Sequence, residues 1–372
     1  MSRRLRLARP VRLAAGYGAS ALLAATLVWT RVAADPAVPE PVRLADMLGR
    51  RFLDRYMADD GRVVRHDQGG DTVSEGQAYA MLVAAGLGDR PRFDAAWRWT
   101  QANLQRADGL LAWLWRGGVV VDPMPASDAD LDAAVALLEA ADRFRDERYR
   151  EDARRLAAAI LAQETAVVAG RRFLAAGPWA ATPPVRLNPS YFAPASFVAL
   201  HGLTADPAWL ELDRTSRQLV SSLTAAGDRL PPDWAELRGD GSATPVGRPG
   251  EPGSQPAYGL DAGRLLVRLA VDCNAEGPRM AAALWARLRS SAGEGTALSS
   301  ALDGVPGQAG THPTMHVASS AAARAAGDVA SAERLLAQAV ELDHRAPSYF
   351  GAAWLAVASR QLGDPPSGGC RP

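Results

Sequence analysis

Apolar residues recur at helical spacing along most of the chain, and the stretches that carry them come in pairs. The first pair is predicted over 74–87 and 93–104, joined by Gly88-Asp89-Arg90-Pro91. Further pairs are predicted over 128–144 and 149–163, 190–203 and 209–223, 258–271 and 279–290, and 314–326 and 330–342. Two helices remain, 41–58 near the start and 348–362 near the end, and the first can partner the last. Joints such as Gly88-Asp89, Asp206-Pro207 and Gly327-Asp328 carry the residues that stop one helix and start the next. Strand-type alternation is scarce, with 119–121 a rare β-branched run. The pattern predicts an all-α fold in which six hairpins close into a ring of inner and outer helices. An open solenoid of helical hairpins would repeat similar turns. The unequal pairs and the long segments between them argue against it.

Those segments, 105–127, 166–189, 224–257 and 291–313, each precede the first helix of a pair. If first helices form the inner ring, every long segment falls on one rim, where functional residues gather over a rigid scaffold. Three carboxylates stand at the starts of inner helices: Glu75, Asp128 and Asp261. Ser74 and Ser127 read as N-caps, with Asp130 completing a variant of the capping box. One acid at a helix N-terminus merely complements the dipole. Three converging on one rim read as a site.

Cleaving a glycosidic bond requires one protonated acid for the leaving oxygen and one carboxylate to activate water. A helix N-terminus favours the charged form, so Glu75 needs desolvation or a nearby like charge to hold its proton. Asp128 can supply that charge. Aromatic residues follow the same geography. Trp113, Tyr191 and Trp234 read as sugar-facing, since flat rings with a polar edge suit sugars. Trp97, Trp99 and Trp209 in outer helices read as core, while Trp115 and Trp179 are open to either reading.

The formal net charge is zero and no basic stripe is present, which excludes nucleic acid as a partner. Arg3, Arg4 and Arg6 precede an apolar stretch over 13–29 and small residues at 32–34. That order predicts an export signal or signal anchor over 1–34. The body would then be periplasmic or secreted, with membrane contact only through this segment if uncleaved. A single catalytic domain is expected over 35–364, followed by a disordered tail over 365–372. Cys273, at the end of an apolar helical run, and Cys370, in the tail, read as two unpaired thiols. His312 and His316 have a spacing that metals can use, but a third ligand is missing, so no metal or cofactor is expected. His66 and Asp67 read as structural, and His201 and His344 as helix-end residues. The Gly- and Pro-rich segment 237–256 lacks helix or strand signals and is expected to flex beside the cleft.

Several segments carry a resemblance. Val73-Ser74-Glu75-Gly76-Gln77-Ala78-Tyr79-Ala80-Met81 resembles the general-acid motif of family 8 glycoside hydrolases. Ala126-Ser127-Asp128-Ala129-Asp130-Leu131-Asp132, continuing through Ala134, Ala140 and Phe144, resembles that family's signature. Asn188-Pro189-Ser190-Tyr191-Phe192, Pro232-Asp233-Trp234 and Asp261-Ala262-Gly263-Arg264 are similar to further family segments, in family order, from about Arg50 to Phe350. The resemblance implies an (α/α)6 barrel, inversion of configuration and a cleft across the rim, without a metal. It implies Glu75 as acid, Asp261 as base and Asp128 as the residue holding a distorted sugar, with Tyr191 and Arg264 in contact with that sugar. Among family members it is nearest to periplasmic cellulases that accompany bacterial cellulose synthesis, which implies a β-1,4-glucan chain as substrate and the cellulose synthesis and export machinery as a partner. Two departures stand out: Ala133 replaces the usual Ile or Met, and Leu260, after Gly259, stands where an aromatic is common.

The leading expectation is an inverting endo-β-1,4-glucanase. A hydrolase of xylan, chitosan or mixed-linkage glucan in the same fold, a non-catalytic glucan-binding accessory protein, and a helical-repeat scaffold remain alternatives. Retention of both Glu75 and Asp261 counts against the accessory protein, and the acids and aromatics gathered on one rim count against the scaffold.

Overall fold

The computed structural model describes residues 40–363; the expectations for 1–34, 365–372 and Cys370 lie outside the described residues. Its twelve described α-helices are α1 Glu40–Tyr56, α2 Ser74–Leu87, α3 Arg90–Asn103, α4 Ser127–Phe144, α5 Glu147–Gln163, α6 Pro194–Thr204, α7 Ala208–Leu223, α8 Leu260–Ala270, α9 Glu276–Ser290, α10 Pro313–Ala325, α11 Val329–Arg345 and α12 Tyr349–Gly363.

Burial separates these helices into two kinds. In α2 nearly every residue is buried, including Ala78, Ala80, Met81, Val83 and Ala84. A helix that is apolar all round must be surrounded, and its alanines let neighbouring axes approach closely. In α5 burial is confined to Tyr149, Ala153, Leu156, Ala157, Ala159 and Ile160, one stripe at helical spacing. The even-numbered helices form the inner ring: α2 packs on α4, α4 on α6, α6 on α8, α8 on α10, α10 on α12, and α12 back on α2. The outer helices α3, α5, α7, α9 and α11 each pack on the inner helix before them, and α1 packs on α12. The ring is therefore closed, an (α/α)6 barrel, and the solenoid alternative falls.

The Gly-Asp joints have a physical basis. Gly88 sits at φ +71° after α2, a left-handed conformation that a glycine adopts without strain, and its amide returns to the carbonyls of Ala84 and Ala85. Asp89 then caps α3 by accepting the Arg92 amide. Gly327 (φ +76°) and Asp328 repeat the device between α10 and α11.

Two helices begin later than their apolar pattern suggests. The stretch predicted from 190 opens with a single 3-10 turn at Pro189–Tyr191, and α6 starts only at Pro194. The one predicted from 258 begins at Leu260. The serine caps are also corrected. Val73 and Ala126 occupy the N-cap positions, while Ser74 and Ser127 lie inside the helices. The Ser127 hydroxyl donates instead to the Ala175 carbonyl at 2.7 Å, and Asp130 accepts the Leu111 amide at 3.0 Å. Neighbouring segments deliver partners that the helix's own first turn would otherwise have to supply.

The rim segments hold short strands, of which the sequence pattern announces only the β-branched run at 119–121, which is part of a strand. Thr72–Val73 (β1), Leu114–Arg116 (β2) and Val119–Asp122 (β3) form one antiparallel sheet, and Thr165–Val168 (β4) pairs Arg171–Leu174 (β5). Val185–Leu187 (β6), Trp234–Leu237 (β7) and Ala243–Val246 (β8) form the third. The segment 237–256, expected to lack strand structure, thus contributes β8. Strands of two to four residues are too short to display alternation, and β6 meets β7 across a long sequence separation.

Cys273 is disulfide-bonded, which corrects the reading of unpaired thiols. It lies beyond α8 on an exposed turn, not within the apolar run. Among the described residues no helix is long and apolar enough to cross a membrane.

Candidate active site

At the start of α2, the Ser74 amide donates to the Trp113 carbonyl at 3.0 Å, which ties the helix to the β2 segment. A side chain at Gly76 would place its Cβ 2.7 Å from the Tyr349 hydroxyl, so glycine lets α2 approach α12 beside Glu75. Burial, and then the negative charge of Asp128, push the Glu75 carboxyl from 4.5 up to about 7. The helix-start backbone, Arg264 and Arg65 oppose this and do not overcome it.

Asp128 opens α4 and is 1% exposed. Its Oδ1 accepts the Ala129 amide at 3.0 Å and its Oδ2 accepts Arg264 Nη1 at 2.6 Å. Arg264 links the whole group. It also donates to the Tyr79 hydroxyl at 3.3 Å, the Ser190 hydroxyl at 2.8 Å and Asp261 Oδ1 at 3.2 Å. Its guanidinium lies over the rings of Tyr191, Phe350 and Trp354 at 5.3, 5.8 and 5.9 Å. A buried cation of this kind is tolerated because each of its edges meets an anion, a hydroxyl or a π face.

Asp261 stands in the first turn of α8 with its side chain 24% exposed. Besides Arg264, its Oδ2 accepts Asn188 Nδ2 at 3.3 Å. Asn188 is fixed in turn, since its Oδ1 accepts the Ser190 amide and hydroxyl at 3.1 and 2.7 Å. Glu75, inclined to keep its proton under the influence of Asp128, and Asp261, bonded to Arg264, thus flank the Asp128–Arg264 pair. That is the arrangement acid–base hydrolysis requires.

The ring of Tyr191 meets that of Trp234 at 6.3 Å, and Trp234 meets Trp179 at 6.2 Å, so the three make a row beside Arg264. Trp179 is 37% exposed and belongs to this row. Trp113 does not join it: its half-buried ring packs on the core, and it touches the site through its carbonyl. Trp115 stacks edge-on against Trp99 at 5.3 Å and under Arg62 at 5.0 Å, a structural position. Trp97, Trp99 and Trp209 are buried as expected. Arg264 and Asp128, expected against a sugar, are 3% and 1% exposed, and their polar atoms bond to protein groups: each other, Tyr79, Ser190, Asp261 and the Ala129 amide. They form the floor of the site more than its surface.

His312 and His316 do not form a metal pair. Burial pushes both imidazoles down to about 4, and they bond separately to Ser348 and Thr311. Among the described residues no group of three His, Cys, Asp or Glu is placed to hold a metal ion. His66 stacks on Tyr56, Asp67 accepts the Tyr349 amide, and His201 bonds the Asp206 carbonyl. Sequence reasoning left out Asn188, Ser190 and Tyr79 as site residues. The Asn-Pro-Ser turn was the visible signal for the first two; Tyr79 lay within the 73–81 motif but among core residues of α2, with nothing to single it out.

Residues 48–249 match glycosyl hydrolases family 8. The chain belongs to that family. The match spans Glu75, Asp128 and Asn188 and stops short of Asp261. An endoglucanase of Cellulomonas uda is 32% identical over 213 residues, 55% of this chain and 59% of that protein. A probable endoglucanase of Novacetimonas hansenii is 36% identical over 197 residues, 49% of this chain and 55% of that protein. The chain thus spans little more than half the length of these curated relatives in alignment. Structural similarity reaches further. The endo-β-1,4-glucanase CMCax from Acetobacter xylinum superposes with a TM-score of 0.72 at 27% identity, covering 86% of this chain and 98% of that one. A β-1,3-1,4-glucanase from Paenibacillus sp. X4 shares the fold, with a TM-score of 0.76 at 18% identity over 87% of this chain and 91% of that one.

Proposed function

We propose that the chain is an inverting endo-β-1,4-glucanase in which Glu75 is the general acid and Asp261 the general base. The observation that carries this reading is the buried Arg264 guanidinium, bonded at once to Asp128 at 2.6 Å and Asp261 at 3.2 Å; burial and the charge of Asp128 push the neighbouring Glu75 carboxyl up to about 7. In the proposed step Glu75 passes its proton to the glycosidic oxygen as the bond to the anomeric carbon breaks. Asp261 takes a proton from a water that attacks that carbon from the opposite face, so one water is consumed and the configuration inverts. The exposed Trp179 and the half-buried Trp234 are the rings placed to meet sugar residues beside the cleavage point, with Tyr191 buried behind them under Arg264. Trp113 supports the start of α2 instead.

Support for a β-1,4-glucan comes from the names of the relatives above and from the absence of a further acidic cluster in the sequence suited to chitosan. An export role for residues 1–34, a periplasmic or secreted location and a place beside cellulose synthesis and export belong to the same proposal. They rest on the basic-then-apolar order of that segment and on the motif resemblance.

Reducing-sugar release from carboxymethyl cellulose by the parent, Glu75→Gln and Asp261→Asn tests the reading. Activity in the parent that collapses in both variants, with folding intact, is the expected result. A parent inactive on carboxymethyl cellulose, xylan, lichenan and chitosan refutes catalysis and leaves glucan binding.

A further inference from the structure

Helix α8 carries Asp261 in its first turn and Arg264 just after it, yet it has no cap of its own. Gly259 occupies the N-cap position and brings no side chain. The first amides of a helix lack intrahelical acceptors and need them from elsewhere. Here they come from Asp233, at the head of β7. Asp233 Oδ1 accepts the Gly259 amide at 3.0 Å and the Ala262 amide at 2.8 Å, the two positions that bracket Asp261. The tie runs both ways, since the Asp233 amide donates to the Ala257 carbonyl at 2.8 Å.

Glycine at 259 is a consequence of this approach. A Cβ there would lie 2.5 Å from Asp233 Oδ2, and the backbone, at φ −135°, imposes no need of its own for glycine. Gly259 is space left for a carboxylate.

The strand that presents Asp233 also positions the rest of the base's surroundings. Trp234, the next residue, is the middle ring of the aromatic row. β7 pairs with β6 in the register Leu187↔Ala235, and β6 leads directly into Asn188, the donor to Asp261 Oδ2. One small sheet therefore reaches Asp261 twice, through its helix backbone and through its carboxylate.

We infer that Asp233 is a positioning residue for Asp261, capping α8 from a neighbouring strand and fixing the turn from which the base acts. The inference rests on the reading of Asp261 as general base. A carboxylate at a helix N-terminus also meets the positive end of the dipole. Burial and the like charge of Asp261 push the Asp233 carboxyl up to about 7, and the two amides and Arg248 pull it back. The buried Tyr258 ring is the other titratable group beside it.

The test compares Asp233→Ala, Asp233→Asn and Gly259→Ala with the parent. It measures kcat and KM on a soluble β-1,4-glucan oligosaccharide, together with amide exchange over residues 259–262. Misplacement of a reacting group by an ångström costs up to about a hundred-fold in rate. Asp233→Ala is accordingly expected to lower kcat roughly ten- to hundred-fold with little change in KM, and to speed exchange in the first turn of α8. Asp233→Asn keeps an oxygen that accepts both amides and should recover most of the rate and the protection. Gly259→Ala leaves the carboxylate in place but pushes it away, and should resemble Asp233→Ala. An Asp233→Ala enzyme with parental kcat, or an Asn variant as impaired as the Ala variant, overturns the inference. If the parent turns over no glucan, it is the hydrolase reading that fails. Exchange alone then decides: faster in Ala and restored in Asn supports the positioning role, and unchanged exchange overturns it.

Discussion

On the proposed mechanism, replacing Asp128 by Asn is expected to move the alkaline limb of the pH profile of glucan hydrolysis toward acid. Glu75 keeps its proton up to about 7 instead of the ordinary 4.5, for two reasons in order: burial, then the charge of Asp128. Asn leaves the burial in place and removes the second cause. It also frees Arg264 from its 2.6 Å partner, and Arg264 already favours ionised Glu75. Both changes lower the affinity of Glu75 for its proton. Because burial is the larger cause, the expected displacement is about one pH unit or somewhat less, not a return to the ordinary value. The general acid acts only while protonated, so kcat/KM of the parent should fall as pH rises through about 7. In Asp128→Asn the fall should begin at lower pH. The assay is initial-rate hydrolysis of a soluble glucan from pH 4 to 10 or so, with folding checked by circular dichroism at each end. Overall activity will also drop, but the position of the limb is independent of its height. A parental limb well above neutrality, or a limb that stays in place in Asp128→Asn, would refute the assignment of Glu75's proton affinity to these causes.

Asp130 and Glu164 form a buried acid pair, each pushed well above the usual carboxylate range chiefly by burial and then, for Glu164, by Asp130. A raised folded-state value means the native state binds more protons, so this contribution is present at low pH and lost as pH rises above the ordinary carboxylate range. Glu164→Gln should therefore flatten the alkaline decline of Tm, by a few degrees or so; a decline as steep as the parent's in scanning calorimetry would disprove the pairing. Arg268 donates two bonds to Asp132, at 2.9 and 2.8 Å, in the barrel interior. Asp132→Asn should cost about 3–5 kcal/mol in urea unfolding, and the double replacement Asp132→Leu with Arg268→Met clearly less than either single change. Equal costs would mean that no buried charge is left unpaired. Trp179→Ala removes an exposed ring at the end of the aromatic row; it should raise KM for long glucans and leave kcat within about two-fold, the mark of uniform binding. A fall in kcat alone would move Trp179 out of the binding row.

Much of the fold was legible because helices report themselves locally. The span 74–87 matches α2 at both ends, and Gly88-Asp89 marks a left-handed stop followed by a cap. Closure was legible too, once helix 41–58 lacked a partner and helix 348–362 needed one; α1 indeed packs on α12. Apart from the β-branched run at 119–121, which forms β3, the small sheets were not legible. Their strands are stabilised by partners remote in sequence, as when Val185–Leu187 meets Trp234–Leu237, and two to four residues cannot display a period of two. The serine caps misled for a related reason: Ser127 has the right residue type, but the carbonyl of Ala175, brought by another segment, takes its hydroxyl.

The sequence by itself marked Glu75, Asp128 and Asp261 as candidates, each at or near the start of a helix that the apolar pattern predicts. Tertiary structure decided what those carboxylates are. Glu75 holds a proton because burial and Asp128 surround it, Asp261 is oriented by Asn188 and Arg264, and Gly259, odd in sequence, is room for Asp233. Helix propensity and capping act between residues a few positions apart, so they can be read along the chain. Desolvation, like-charge repulsion and hydrogen bonds to a distant strand depend on separation in space, and only the closed barrel sets those separations.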